Sequence, residues 1–109
     1  MKRLAFTLLL VSACSGAPKL EDQACPPGGT TLTYANFGKA FVDGYCVRCH
    51  GGPNGYSSRA LNTVESIRAS AARVYTNATG DNPPMPPGPD DPTPEERAKL
   101  AEWLACGAP

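Results

Sequence analysis

Cys46, Cys49 and His50 stand in the order Cys46-Val47-Arg48-Cys49-His50: two thiols three positions apart, with an imidazole directly behind the second. That is the pattern of covalent haem attachment, and its spacing has a physical reason. Two intervening residues let both sulfurs reach the two vinyl groups on one edge of a porphyrin, and the histidine that follows turns its ring under the iron. Two other chemistries use paired cysteines. A thioredoxin-like dithiol couple sits beside a βαβ pattern, for which this sequence shows no strand signal. A zinc site can draw on Cys25 or Cys106 for four ligands, but it would ask the adjacent Cys49 and His50 to bind one tetrahedral ion.

An iron held on one face by His50 either gains a ligand on the other face or stays open there. His50 is the only histidine of the chain, so no second imidazole exists, and the methionines are Met1 and Met85. Met1 belongs to the leader described below, which makes Met85 the candidate axial thioether. It lies in Pro83-Pro84-Met85-Pro86-Pro87. Prolines fix their own φ and restrict the residue before them, so this is a stiff, extended loop suited to holding a sulfur in place. An exposed or gap-filling methionine is the alternative. Thioether ligation raises the iron potential relative to two imidazoles.

Helices must position these groups. Tyr34, Phe37, Phe41 and Tyr45 recur at helical spacing and predict a first helix over 33–45 with one aromatic face. Gly51 to Ser58 reads as a glycine-rich loop. Val64, Ile67, Ala71 and Val74 predict a second helix over 63–75, with Asn62 and Glu65 as its capping box. Gly80 to Pro92 holds six of the twelve prolines and is neither helix nor central strand. The last helix has Thr93 as N-cap, Pro94 in the first position, Glu96 at the capping-box position, and Leu100, Trp103 and Leu104 as its buried stripe. Gly107 sits where that helix stops. The sequence has no internal repeat and no competing strand pattern.

The chain begins with a basic Met1-Lys2-Arg3, an apolar run from Leu4 to Val11, and small residues before Cys14, the order of a secretory signal. The run is too short to span a bilayer, which takes about 20 residues. Val11-Ser12-Ala13-Cys14 resembles the lipobox of bacterial lipoproteins, which implies cleavage before Cys14 and its diacylation; an ordinary export signal beside a cysteine is the alternative. Residues 1–13 are then a signal peptide, 14–24 a lipidated cysteine with a flexible polar tether, and 25–109 the folded domain. Export places the protein on the periplasmic face of a bacterial envelope, and Ser15 after Cys14 leans toward the outer membrane.

The chain has 109 residues, with 41% hydrophobic, 7% aromatic and zero net charge. One small domain fits that length, and such domains often supplement a thin core with a cofactor or cross-link. Without the leader, eight basic side chains face ten acidic ones. No basic tract marks a nucleic-acid partner.

From Thr33 to Cys106 the chain resembles a class I, mitochondrial-type monohaem cytochrome c domain, on Cys46–His50, the Met-Pro-Pro segment at Met85, and Leu100/Trp103/Leu104. The resemblance implies an all-α cytochrome c fold: three main helices around one covalent haem c, with the first and last crossing where Gly38 meets Trp103. It implies Cys46 and Cys49 as haem thioethers and His50 and Met85 as axial ligands. Relatives often give the histidine a proline carbonyl as hydrogen-bond acceptor, but no proline lies between Pro53 and Pro83. The acceptor for His50 therefore has no name at this point. With Cys14 assigned to lipid and two cysteines to haem, Cys25 and Cys106 remain, and crossing terminal helices would bring them together as a disulfide in an exported protein; two free thiols are the alternative. Arg59, Arg68 and Arg73 are candidate propionate partners, with solvated arginines the default. Asn77-Ala78-Thr79 matches a glycosylation sequon that a bacterial-type leader makes coincidental, and Asp81, Asp90 and Asp91 solubilise their loop. The implied function is single-electron transfer between redox-protein partners, as a carrier or as the electron-transfer module of a larger oxidoreductase complex, with no small-molecule substrate. A haem sensor or small haem enzyme in which Met85 dissociates is the alternative, and a non-haem binding module a third.

Overall fold

The computed structural model describes residues 16–55 and 58–109; every regular element among them is helical. Residues 1–13 and Cys14, read above as signal and lipidation site, lie outside the described residues.

Thr33 opens the first helical stretch. Its backbone is extended, its hydroxyl accepts from the Asn36 N–H at 3.1 Å, and its own N–H donates to Asn36 Oδ1 at 2.7 Å. The chain first makes a wide π-helical turn, Tyr34–Gly38, then tightens into α1, Lys39–Tyr45; Cys46 breaks the axis before the short α2, Val47–His50. The aromatic ladder forms along this stretch, with ring centroids 5.5 Å apart for Phe37–Phe41 and 5.1 Å for Phe41–Tyr45.

The second helical region differs from its sequence pattern in two ways. Thr63, not Asn62, is the N-cap, and Ser66, not Glu65, closes the capping box, with reciprocal bonds of 3.1 and 3.2 Å. The region is also broken at Ser70 into α3, Val64–Ala69, and α4, Ala71–Ala78. Ser70 leaves the helical region (φ −106°, ψ 10°) and shares its N–H between the carbonyls of Ser66 and Ile67. The break re-aims the chain so that Ile67 on α3 and Tyr75 and Ala78 on α4 all enter the core.

α5 spans Pro94–Ala105, with the Thr93 hydroxyl accepting from the Glu96 N–H at 3.1 Å. Leu100, Trp103 and Leu104 are buried, and each apolar side chain of this size stabilises the fold by about 1.5–3 kcal/mol when fully buried. The helix ends in a Schellman arrangement: Gly107 takes φ 88°, its N–H reaches Leu104 O at 3.0 Å, and the Ala108 N–H reaches Trp103 O at 2.8 Å.

The first stretch and α5 meet at Gly38. A Cβ there would overlap Cζ2 and Cη2 of Trp103, so glycine is what permits the approach. Tyr34 stacks on the indole at 6.5 Å and Phe37 meets it edge-on at 6.2 Å. The Pro109 carbonyl ties both sides together, accepting from Tyr34 N–H at 2.6 Å and Trp103 Nε1 at 3.1 Å, while Arg68 Nε donates to Ala108 O at 3.0 Å.

Cys25 and Cys106 are joined as a disulfide with Cα atoms 5.0 Å apart, beside a hydrogen bond from Thr30 Oγ1 to Glu102 Oε2. From Pro18 onward, the segment read as a tether lies against the body. A 3₁₀ turn at Leu20–Asp22 packs on α4 and α5, Tyr75 donates its hydroxyl proton to Gln23 Oε1 at 2.9 Å, and Thr76 Oγ1 donates to Pro18 O at 2.9 Å.

Candidate functional site

α2 and the residue before it carry the thiols and the imidazole. The His50 N–H donates to Cys46 O at 2.8 Å and the Cys49 N–H to the same carbonyl at 3.2 Å. One helical turn therefore sets Cys46 and Cys49 on one face, as positions three apart must be.

The loop that follows returns to this turn and fixes the imidazole. His50 Nδ1 lies 2.7 Å from the carbonyl of Arg59. A carbonyl only accepts, so Nδ1 carries a proton, and in the neutral ring that leaves on Nε2 the lone pair a metal needs. Leu61 N–H donates to His50 O at 2.8 Å and closes the same loop through the backbone. The return is close: a Cβ on Gly55 would sit 2.6 Å from Cys49 O, and one on Gly51 2.7 Å from Val47 O. The Arg59 carbonyl is the acceptor for which the sequence offered no candidate, since it carries no side-chain signature.

Cys46, Cys49, His50, Met85 and Pro86 line one cavity of about 350 Å³, whose walls are largely apolar and include Phe41, Leu61, Val74 and Ala78. Met85 is 44% exposed, the large apolar side chain left open among the described residues. Within Pro83–Pro87 only Met85 has a backbone N–H, and it donates to Asn77 O at 2.9 Å; the Met85 carbonyl accepts from Arg97 Nη1 at 2.8 Å. At the rim, the Tyr45 hydroxyl meets the Glu96 carboxylate, which holds the phenol above its ordinary range.

The two other readings of the paired cysteines fare poorly. Burial pushes the Cys46 thiol up to about 11, whereas a redox-active dithiol needs a lowered value. Cys25 and Cys106, which a zinc site would borrow, are bonded to each other. Among the described residues, no three His, Cys, Asp or Glu side chains group so as to hold a metal ion. The residues instead fit a flat apolar group with a central metal: paired thiols on one edge, an oriented imidazole, a thioether on the same cavity, and greasy walls.

Of the three arginines singled out, Arg59 and Arg73 line the cavity, whereas Arg68 is engaged with Ala108 O. The sequon is structurally occupied: Thr79 is buried with its hydroxyl donating to Tyr75 O, and Asn77 Nδ2 donates to Arg73 O. Arg97 was missed. Its position one turn before Leu100 and Ala101 puts a cation on an otherwise apolar stripe, and that was the available signal.

A family model described as cytochrome C oxidase, cbb3-type, subunit III matches residues 34–104, a span that contains Cys46, Cys49, His50 and Met85. No curated protein and no solved structure matches the chain.

Proposed function

The chain belongs to the cytochrome c family of that cbb3-type description, and from this premise we propose that it is a single-electron carrier with one haem c. Haem-based electron transfer between redox proteins, on covalently bound haem, is what the family implies. For this chain, Cys46 and Cys49 are the thioether residues and His50 and Met85 the axial ligands. The observation that carries the reading is the convergence of these four side chains on one apolar cavity.

Bound haem supplies a one-electron iron couple, whose potential a thioether ligand raises relative to two imidazoles. The chain supplies everything else. Cys46 and Cys49 offer two sulfurs from one helical face to two vinyl groups. His50 presents Nε2 because its Nδ1 proton is committed to Arg59 O, which also makes the ring a better donor. Phe41, Leu61, Val74 and Ala78 keep water from the site and lower its dielectric. Arg73 at the cavity wall suits a carboxylate of the bound group.

The leader and Cys14 support export and diacylation, which would hold the carrier on the periplasmic face of the envelope. Acyl chains on one residue anchor stably because each buried CH₂ contributes about 0.8 kcal/mol.

The test is a redox-difference spectrum of the wild type beside Met85→Ala. The wild type is expected to show the iron–thioether charge-transfer band, and the variant to lose it and drop in potential. An unchanged spectrum removes Met85 from the ligand set. High-spin iron in the wild type, or rapid carbon monoxide binding to it, would favour the sensor or enzyme reading.

A further inference from the structure

Met85 sits on a segment that cannot hold itself in place. Four of the five residues from Pro83 to Pro87 lack a backbone donor, so the segment has one N–H with which to bind the rest of the protein. That N–H goes to Asn77 O on α4 at 2.9 Å. The carbonyl of the same residue goes to Arg97 on α5, and Arg97 Nη1 also donates to Ala78 O, both at 2.8 Å. Met85 is thus gripped on both sides of its own Cα, by α4 and by α5.

Arg97 is an unusual residue for this task. It is only 9% exposed, and its cation lies against the last carbonyl of α4, the negative end of that helix. A buried charge persists only when such partners satisfy it. Those partners are the end of α4 and the backbone of Met85, so one guanidinium spans the helix that walls the cavity and the loop that carries the sulfur.

We propose that Arg97 is the positioning residue for the Met85 thioether: its guanidinium holds the Met85 backbone so that the sulfur stays at the iron instead of leaving it. This rests on Met85 being an axial ligand. Arg97 touches neither haem nor iron in this role, and it acts on ligand exchange through the backbone of residue 85.

The test uses the matured haem protein with Arg97→Met, which keeps an unbranched apolar stem and removes the donor. The expected result is a weakened thioether charge-transfer band, a lower potential, and faster exchange of the Met85 amide hydrogen. Carbon monoxide, which binds only after the sulfur leaves, should bind roughly tenfold to a hundredfold faster, the factor expected from loss of a buried charged donor's hydrogen bonds. Tyr75→Phe, which cuts the bond from α4 to Gln23 at a residue that does not line the cavity, controls for general loosening and should leave band, potential and carbon monoxide rate unchanged. If Arg97→Met does not mature, Arg97→Lys, which keeps the charge but not the reach, should show the same changes at smaller amplitude. Unchanged band, potential and rate in the variant that matures overturns the proposal. A wild type without the thioether band sinks the ligand assignment instead, while amide exchange at Met85 still reports whether Arg97 grips the loop.

Discussion

At His50 the ring nitrogen Nδ1 is committed to a main-chain carbonyl nine residues away, so the path of a loop selects which ring nitrogen is left open. The type and spacing of Cys46, Cys49 and His50 are legible in the sequence because the chemistry demands those side chains in that order. The acceptor is not legible, because any residue can offer a carbonyl and only the fold of 51–60 decides which one arrives. Tyr45 gives a prediction of its own. Its hydroxyl pairs with Glu96, which raises the phenol above its ordinary value of 10.0. A raised value means that the folded protein favours the neutral phenol, so this contribution is complete below pH 10 and disappears as pH climbs through the raised value. Thermal midpoints should therefore fall less steeply above pH 10 in Tyr45→Phe than in the wild type. Parallel slopes would show that the pair contributes nothing.

Among the elements, α5 announces itself: Thr93, Pro94, the Leu100/Trp103/Leu104 stripe and Gly107 each carry a local signal, and the structure uses each of them. The second helical region shows where such signals fail. Asn62/Glu65 and Thr63/Ser66 are both chemically able to cap, and the fold takes the second pair in the register that sends Ile67 inward, 1% exposed. Packing decided between two equal local choices. The break at Ser70 is likewise invisible to periodicity, because Ala71 and Val74 keep the spacing of a continuous helix. Two outcomes belong to this scale. Gly38→Ala should cost about 1–3 kcal/mol in urea unfolding, the usual range for overpacking, because the methyl meets a wholly buried indole that has nowhere to go. Thr93→Ala should cost about 1 kcal/mol by the same measurement, through loss of the α5 cap. A Gly38→Ala protein as stable as the wild type would mean that the helices can separate freely there.

At the scale of the whole molecule, the two ends of the described helical body are joined by covalent and polar links. Cys25 and Cys106 bridge 81 positions, Pro109 O joins Tyr34 to Trp103, and the Pro18–Gln23 segment lies across α4. That last contact has no sequence signature, since it depends on one leucine and two hydrogen bonds, with no repeating pattern. In the chain-entropy description a loop of this length contributes about 4 kcal/mol, less where other links already constrain the chain. The double variant Cys25→Ser/Cys106→Ser should unfold at lower urea yet keep the haem spectrum of the wild type, because neither cysteine lines the cavity. Loss of the spectrum would mean that the bridge shapes the site itself.

The most direct measurement is the mass of the naturally exported protein, followed by the mass of the proteolytic peptide containing Cys46 to His50. The expected result is one haem covalently carried on that peptide, with neither Cys46 nor Cys49 open to alkylation. A peptide of unmodified mass whose two thiols both react with an alkylating reagent would contradict the haem assignment and, with it, the role of every residue placed around it.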